Sequence, residues 1–125
     1  MDTLTVVREA LEDYLRTGEL APRFFTDDVA FHTRAELAGS EVYRGLDDVR
    51  RGAAAFGDVW AELRGDLRDL RASGDRAAAE IHFDLRSHAG VELEAVEGWS
   101  YRVREGRICE IRQHATPEEA FATLG

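Results

Sequence analysis

Lysine and asparagine are absent from this 125-residue chain, cysteine and methionine occur once each, and proline occurs twice. Without lysine there is no Schiff-base or amine-nucleophile chemistry, and all 16 basic side chains are arginine. Gln113 is left as the only side-chain carboxamide. The lone Cys109 cannot close an internal disulfide, so nothing points to an oxidising compartment. No apolar run approaches the roughly 18 residues that span a bilayer. The opening MDTLTVVREALEDY is acidic where a secretory leader is basic. The expectation is a cytoplasmic protein with no membrane partner.

What the chain has in excess is acid. The net charge is -9, with acidic residues spread along the whole sequence, which opposes a phosphate backbone and argues against a nucleic-acid partner. A content of 44% hydrophobic and 33% charged residues is globular. One domain over residues 1–125 is long enough to bury a core without staples. Abundant arginine and alanine suggest a GC-rich, bacterial source genome.

Leu4, Val7, Leu11, Tyr14 and Leu15 recur at helical spacing and predict a helix over Thr3 to Thr17, with Asp2 or Thr3 as cap and Gly18 as stop. Pro22 predicts a short second helix that carries Phe24 and Phe25 and closes at Asp27-Asp28, followed by a strand over Val29 to Thr33. Residues 34–45 read as a loop turning at Gly39-Ser40 and a brief strand over Glu41 to Arg44. Leu46, Val49, Ala53 and Phe56 then predict a third helix, opened by Asp47-Asp48 and ended at Gly57-Asp58.

Beyond this point the apolar period falls from about 3.6 to 2. Trp60 to Ala72 predicts a bulged strand or a short helix, and Ser73-Gly74-Asp75 a turn. Ala77 to His88 alternates, with Ala79, Ile81, Phe83 and Leu85 facing inward and Glu80, His82, Asp84 and Arg86 facing outward, opposite Glu92 and Glu94. After Ala89-Gly90, the residues Val91, Leu93, Ala95, Glu97, Trp99, Tyr101 and Val103 form one face of a long strand. Glu105-Gly106 turns it into Arg107 to His114. Thr116-Pro117-Glu118-Glu119 starts a last helix with a capping box, and Phe121 and Leu124 are its apolar residues.

Helices followed by a strand meander predict an α+β fold: a curved antiparallel sheet wrapped around N-terminal helices, with a short C-terminal helix. Gly18-Glu19-Leu20, Phe25-Thr26-Asp27-Asp28-Val29, Tyr43-Arg44-Gly45 and the hairpin Tyr101 to Ile108 resemble the SnoaL-like branch of the nuclear transport factor two-like superfamily. That superfamily also holds ketosteroid isomerases, scytalone dehydratases and limonene epoxide hydrolases. The resemblance implies that the sheet is a cone-shaped half-barrel, with a deep apolar pocket between sheet and helices, a small apolar molecule as partner, a homodimer through the outer sheet face, and no cofactor.

Chemistry transfers position by position. The isomerase general-base aspartate falls at Thr33, its oxyanion tyrosine near Leu11 and its protonated aspartate at Trp99. Threonine, leucine and tryptophan cannot take those roles, so steroid-type isomerisation is not expected. The aspartate that polyketide cyclases and epoxide hydrolases carry on the last strand falls at Gln113, which forms hydrogen bonds but takes up no proton.

The residues themselves supply other candidates. Glu97, in phase with Leu93, Trp99 and Tyr101, is either a carboxyl in apolar surroundings with a raised pKa, fit for acid or base work, or is returned to water at a strand edge. Trp99 and Tyr101 read as an aromatic floor or as core, and Gln113 as a ligand-orienting or a satisfied buried amide. His32 and His114 are the proton-transfer candidates among the four histidines, reaching the pocket mouth if the strand ends twist inward. Cys109 reads as a small core residue, and no spacing of His or Cys predicts a metal. The first reading is thus a pocket protein performing cofactor-free acid/base catalysis as an isomerase, cyclase or hydrolase on an apolar cyclic or polyketide-like compound. Glu97 or His32 moves the proton, and Phe31, Thr33, Trp99, Tyr101, Gln113 and His114 line the pocket. The alternative is a non-catalytic ligand-binding or dimerisation module of the same fold.

Overall fold

The computed structural model describes residues 2–34 and 42–125. The order of elements is α1 (Thr3–Thr17), β1 (Phe25–His32), β2 (Val42–Arg44), α2 (Leu46–Asp58), β3 (Glu62–Ser73), β4 (Arg76–Arg86), β5 (Glu92–Arg104), β6 (Arg107–His114) and α3 (Pro117–Ala122). The strands form one curved, unclosed sheet in the order β2-β1-β6-β5-β4-β3. The expected turn at Gly39-Ser40 and the residue Glu41 lie outside the described residues.

Helix α1 forms where the spacing predicts it. Asp2 Oδ1 accepts from the Thr5 amide and Gly18 closes the helix in the left-handed region at φ 77, its amide donating to the Tyr14 carbonyl. Its buried stripe of Val6, Val7, Ala10, Leu11 and Tyr14 lies against β3 and β4. Each such side chain taken from water contributes about 1.5–3 kcal/mol. Helix α2 covers β1 and β2, and the ring of Phe56 meets that of Phe83 on β4 at 6.4 Å. Both helices therefore sit on the same face, the inner face, together with Ile81, Phe83, Trp99 and Tyr101.

Helix α3 lies on the opposite face, on β4, β5 and β6. Thr116 caps it, accepting from the Glu119 amide at 3.2 Å, while Glu119 accepts from the Ala115 amide. It can settle there because Gly98 has no side chain: a Cβ would run into the Thr116 carbonyl and Pro117. Ala78 and Ser100, on the same outer face, are buried beneath it.

Three features depart from the sequence reading. Pro22 starts only a 3₁₀ turn, Pro22–Phe24, and β1 already begins at Phe25. Asp27 and Asp28 therefore lie inside the strand, in a stretch where its register on β6 shifts; both are exposed, and Asp28 accepts from Arg104 at 2.7 Å. Second, β1 runs parallel to β6, so the sheet is mixed and not purely antiparallel. Third, a bulge in β6 breaks the expected alternation: Val103 pairs with Ile108 and Arg102 with Glu110, which leaves Cys109 as the extra, half-exposed residue and buries Ile108. The bulge expected in β3 is present between Leu67 and Asp69.

Candidate functional site

Strand register decides which candidates can meet. Trp99 pairs with Gln113 on β6 and with Ala79 on β4, and Glu97 pairs with Ile81. Residues paired across a sheet share a face, so Glu97, Trp99, Tyr101, Ile111 and Gln113 all point inward. Phe31 pairs with Ile111 and joins them. Thr33 follows the last pair of β1 and is half-buried.

The same register carries the two histidines away. His32 pairs with Arg112, Arg112 with Ser100, and His114 with Gly98, all on the outer face, with Gly98 and His114 next to the start of α3. The strand ends do not twist inward. His32 lies 3.8 Å from Glu110, and Ser100 Oγ is 2.7 Å from His114 Nε2. Both imidazoles have pKa values below the ordinary one, first through burial and then through Arg112; for His32, Arg44 adds to this, while Glu110 and Glu119 respectively oppose it.

Glu97 is the acid of the inner face. It is half-buried, and burial raises its pKa above the usual carboxylate value. A hydrogen bond from the Trp99 indole N–H to Oε1, 3.3 Å, and the nearby Arg34 guanidinium pull it back in part. The Trp99 ring is in turn held by Phe31 at 6.1 Å, edge to face, and by Tyr14 and Phe83, each at 6.2 Å.

Tyr14 was legible only as a helix-face apolar residue, and the structure brings it into the site. It is buried, and its phenol pKa is raised, first by burial and then by the charge of Glu97, so it stays a hydrogen-bond donor. Tyr101 is buried beside it, and its pKa is also raised, by burial first and by Tyr14 second. The signal for Tyr14 was its position one turn past Leu11 on the same helix face, where the resemblance places a phenol donor. Among the described residues the inner face thus brings together the Glu97 carboxyl, the protonated phenols of Tyr14 and Tyr101, the Gln113 carboxamide and an apolar aromatic wall. Among the described residues no cluster of three or more His, Cys, Asp or Glu is arranged to hold a metal ion.

This architecture, three α-helices and a curved unclosed mixed sheet, defines a class of cone-shaped α+β domains. The SnoaL-like domain model matches residues 9–111, and the chain belongs to that family. No curated protein matches it. Among solved structures, an NTF2-like protein from Burkholderia thailandensis superposes with a TM-score of 0.80 at 19% identity, covering 99% of this chain and 98% of that one. A candidate SnoaL-like polyketide cyclase from Mesorhizobium loti gives 0.75 at 24% identity, with coverages of 91% and 99%. TerC co-crystallised with polyporic acid gives 0.78 at 16% identity, with coverages of 98% and 96%. These likenesses are of fold.

Proposed function

We propose that the chain binds a small, largely apolar cyclic compound at the inner face around Glu97 and moves a proton on it without a cofactor, as an isomerase or cyclase does. The observation that carries this reading is Glu97 itself. A carboxyl beside Ile81 and Trp99 on the inward face, with its pKa raised by burial, is shifted in the direction that favours giving and taking a proton. In this reading Glu97 abstracts or delivers the proton, and Tyr14, Tyr101 and Gln113 donate to the oxygen on which charge develops. Phe31 and Trp99 bound the apolar part of the compound, and Thr33 lines the mouth. The fold-similar TerC was co-crystallised with a small molecule, polyporic acid, which agrees with a small-molecule ligand. We take the chain to act as a cytoplasmic homodimer through the outer face, where His82 and Glu80 form a 2.7 Å pair and Val96 is 48% exposed.

A second reading, ligand binding or dimerisation without catalysis, is favoured by two observations. The rings of Phe31, Tyr43, Phe83, Trp99 and Tyr14 pack on one another across much of the inner face. The histidines sit on the other face and cannot share the proton transfer. Turnover by wild type and by Glu97→Gln in a screen of enolisable cyclic ketones and hydroxyquinones separates the two. Loss of turnover in the variant supports catalysis; equal turnover removes Glu97 as acid or base, and binding without turnover in both supports the second reading.

A further inference from the structure

The carboxyl of Glu97 has two oxygens, and the structure treats them differently. Oε1 accepts the indole N–H of Trp99 across 3.3 Å. An oxygen that accepts this bond is the poorer place for a proton, because a protonated hydroxyl oxygen is a weaker acceptor than a carboxylate oxygen. The proton taken up by Glu97 therefore goes to Oε2, and Oε2 is the oxygen left for a ligand.

The donor is itself immobilised. Three rings surround the Trp99 indole: Tyr14 and Phe83 at tilts of 37° and 38°, and Phe31 at 76°. They come from α1, β4 and β1, so three separate elements fix one side chain. Trp99 is also buried, and on the neighbouring strand Gln113 stands directly opposite it. A side chain held this way has one rotamer, and a hydrogen bond from it confers one orientation on the flexible glutamate two residues earlier on the same strand face.

We propose that Trp99 is a positioning residue: its indole N–H fixes the Glu97 carboxyl so that a single, defined oxygen exchanges the proton with the bound compound. The inference rests on the reading of Glu97 as the proton carrier, and it gives Trp99 a role beyond aromatic packing. Among the described residues, the Arg34 guanidinium also acts on Glu97, and Tyr14 faces it from α1. The indole N–H is the donor in direct hydrogen-bond contact with Oε1, and that contact is what sets the orientation.

The test needs no substrate at first. The side-chain carboxyl carbon of Glu97 is followed by NMR through a pH titration in wild type, in Trp99→Phe, and with Trp99 replaced by 3-benzothienylalanine, an isostere whose ring carries sulfur in place of N–H. Loss of the donor moves the Glu97 midpoint upward in the isostere, because the charged form loses the stronger of the two hydrogen bonds. Trp99→Phe gives the same direction with a folded spectrum. If the isostere folds and the midpoint is unchanged or falls, the positioning role is overturned. With a turnover assay in hand, the isostere lowers kcat by roughly ten- to hundredfold with KM little changed, as expected when a reacting group is misplaced by a fraction of its reach. A fall in affinity without a fall in kcat would instead make Trp99 a wall. The two proposals fail separately: an unchanged midpoint sinks the positioning role, whereas a shifted midpoint with full turnover by Glu97→Gln sinks the catalytic reading.

Discussion

Ser100 Oγ and His114 Nε2 lie 2.7 Å apart on the outer face of the sheet, at the point where β6 runs into the cap of α3. Burial and Arg112 depress the His114 pKa, against the opposing charge of Glu119, and His32 on the same face is depressed in the same sense. A histidine whose folded pKa lies below its unfolded value near 6.5 binds protons more readily when unfolded. The stability it contributes is complete above about pH 6.5 and is lost as pH falls from there through the folded pKa. Urea midpoints measured from pH 7.5 down to 5 should fall in wild type and fall less steeply in His114→Gln. A midpoint that rises on acidification through that window would contradict the assignment.

Glu97 has the opposite sign. Its folded pKa is raised, so the stability linked to its protonation is complete below the unfolded value near 4.3 and is lost as pH rises through the folded one. Glu97→Gln is therefore expected to stabilise the protein at pH 7.5, by something of order 1 kcal/mol, and to do little at pH 4. Chemical denaturation at the two pH values checks it. A destabilised variant at pH 7.5 would mean that the charged carboxylate is well solvated or well paired.

Gly98 is expected to tolerate no side chain. A methyl group there meets the Thr116 carbonyl and Pro117, which are backbone and cannot rotate away, so α3 has to lift. Gly98→Ala should cost about 1–3 kcal/mol, the usual range for an overpacked contact. Hydrogen exchange should rise first at the amides of Ala120 and Thr123, which close the helix. Unchanged protection there would show that α3 adjusts without undocking.

Phe83 tests the aromatic wall. It is almost wholly buried and touches Trp99 on one side and Phe56 on the other. Phe83→Ala should cost about 3–5 kcal/mol by denaturation and also loosen the Trp99 indole. A loss below about 1 kcal/mol would mean that the wall collapses to fill the gap.

The residues that the sequence made legible are those whose signal is local. Asp2, Gly18 and Thr116 cap helices by their own chemistry, and the alternation from Ala77 to Tyr101 names the inward face of β4 and β5 directly. What stayed hidden depends on partners far along the chain. No periodicity says that β1 runs beside β6, or that it does so parallel. Asp27-Asp28 resembles a helix stop, yet two exposed aspartates fit an irregular stretch of strand equally well once Phe25 and Val29 are buried on either side. The bulge at Cys109 shifts the phase of β6 by one, which is why Ile108 and not Cys109 is core. The inward placement of Glu97, Trp99 and Gln113 is readable from strand phase alone. His32 and His114 sit in the other phase, and only the pairings with Arg112 and Gly98 show that they stay there. Tyr14 joins the site through the packing of α1 on the sheet, which helical spacing does not register.

The most direct test of the account is a ligand titration read by NMR, using small cyclic ketones and hydroxyquinones with the Trp99 indole N–H and the amides of Glu97 and Gln113 as reporters. The account predicts that a binding compound moves those signals together and saturably, and that Glu97→Gln still binds it but no longer turns it over. Shifts confined to Ser100, Arg112 and α3 on the outer face, or no movement of the Trp99 indole with any compound that binds, would contradict it.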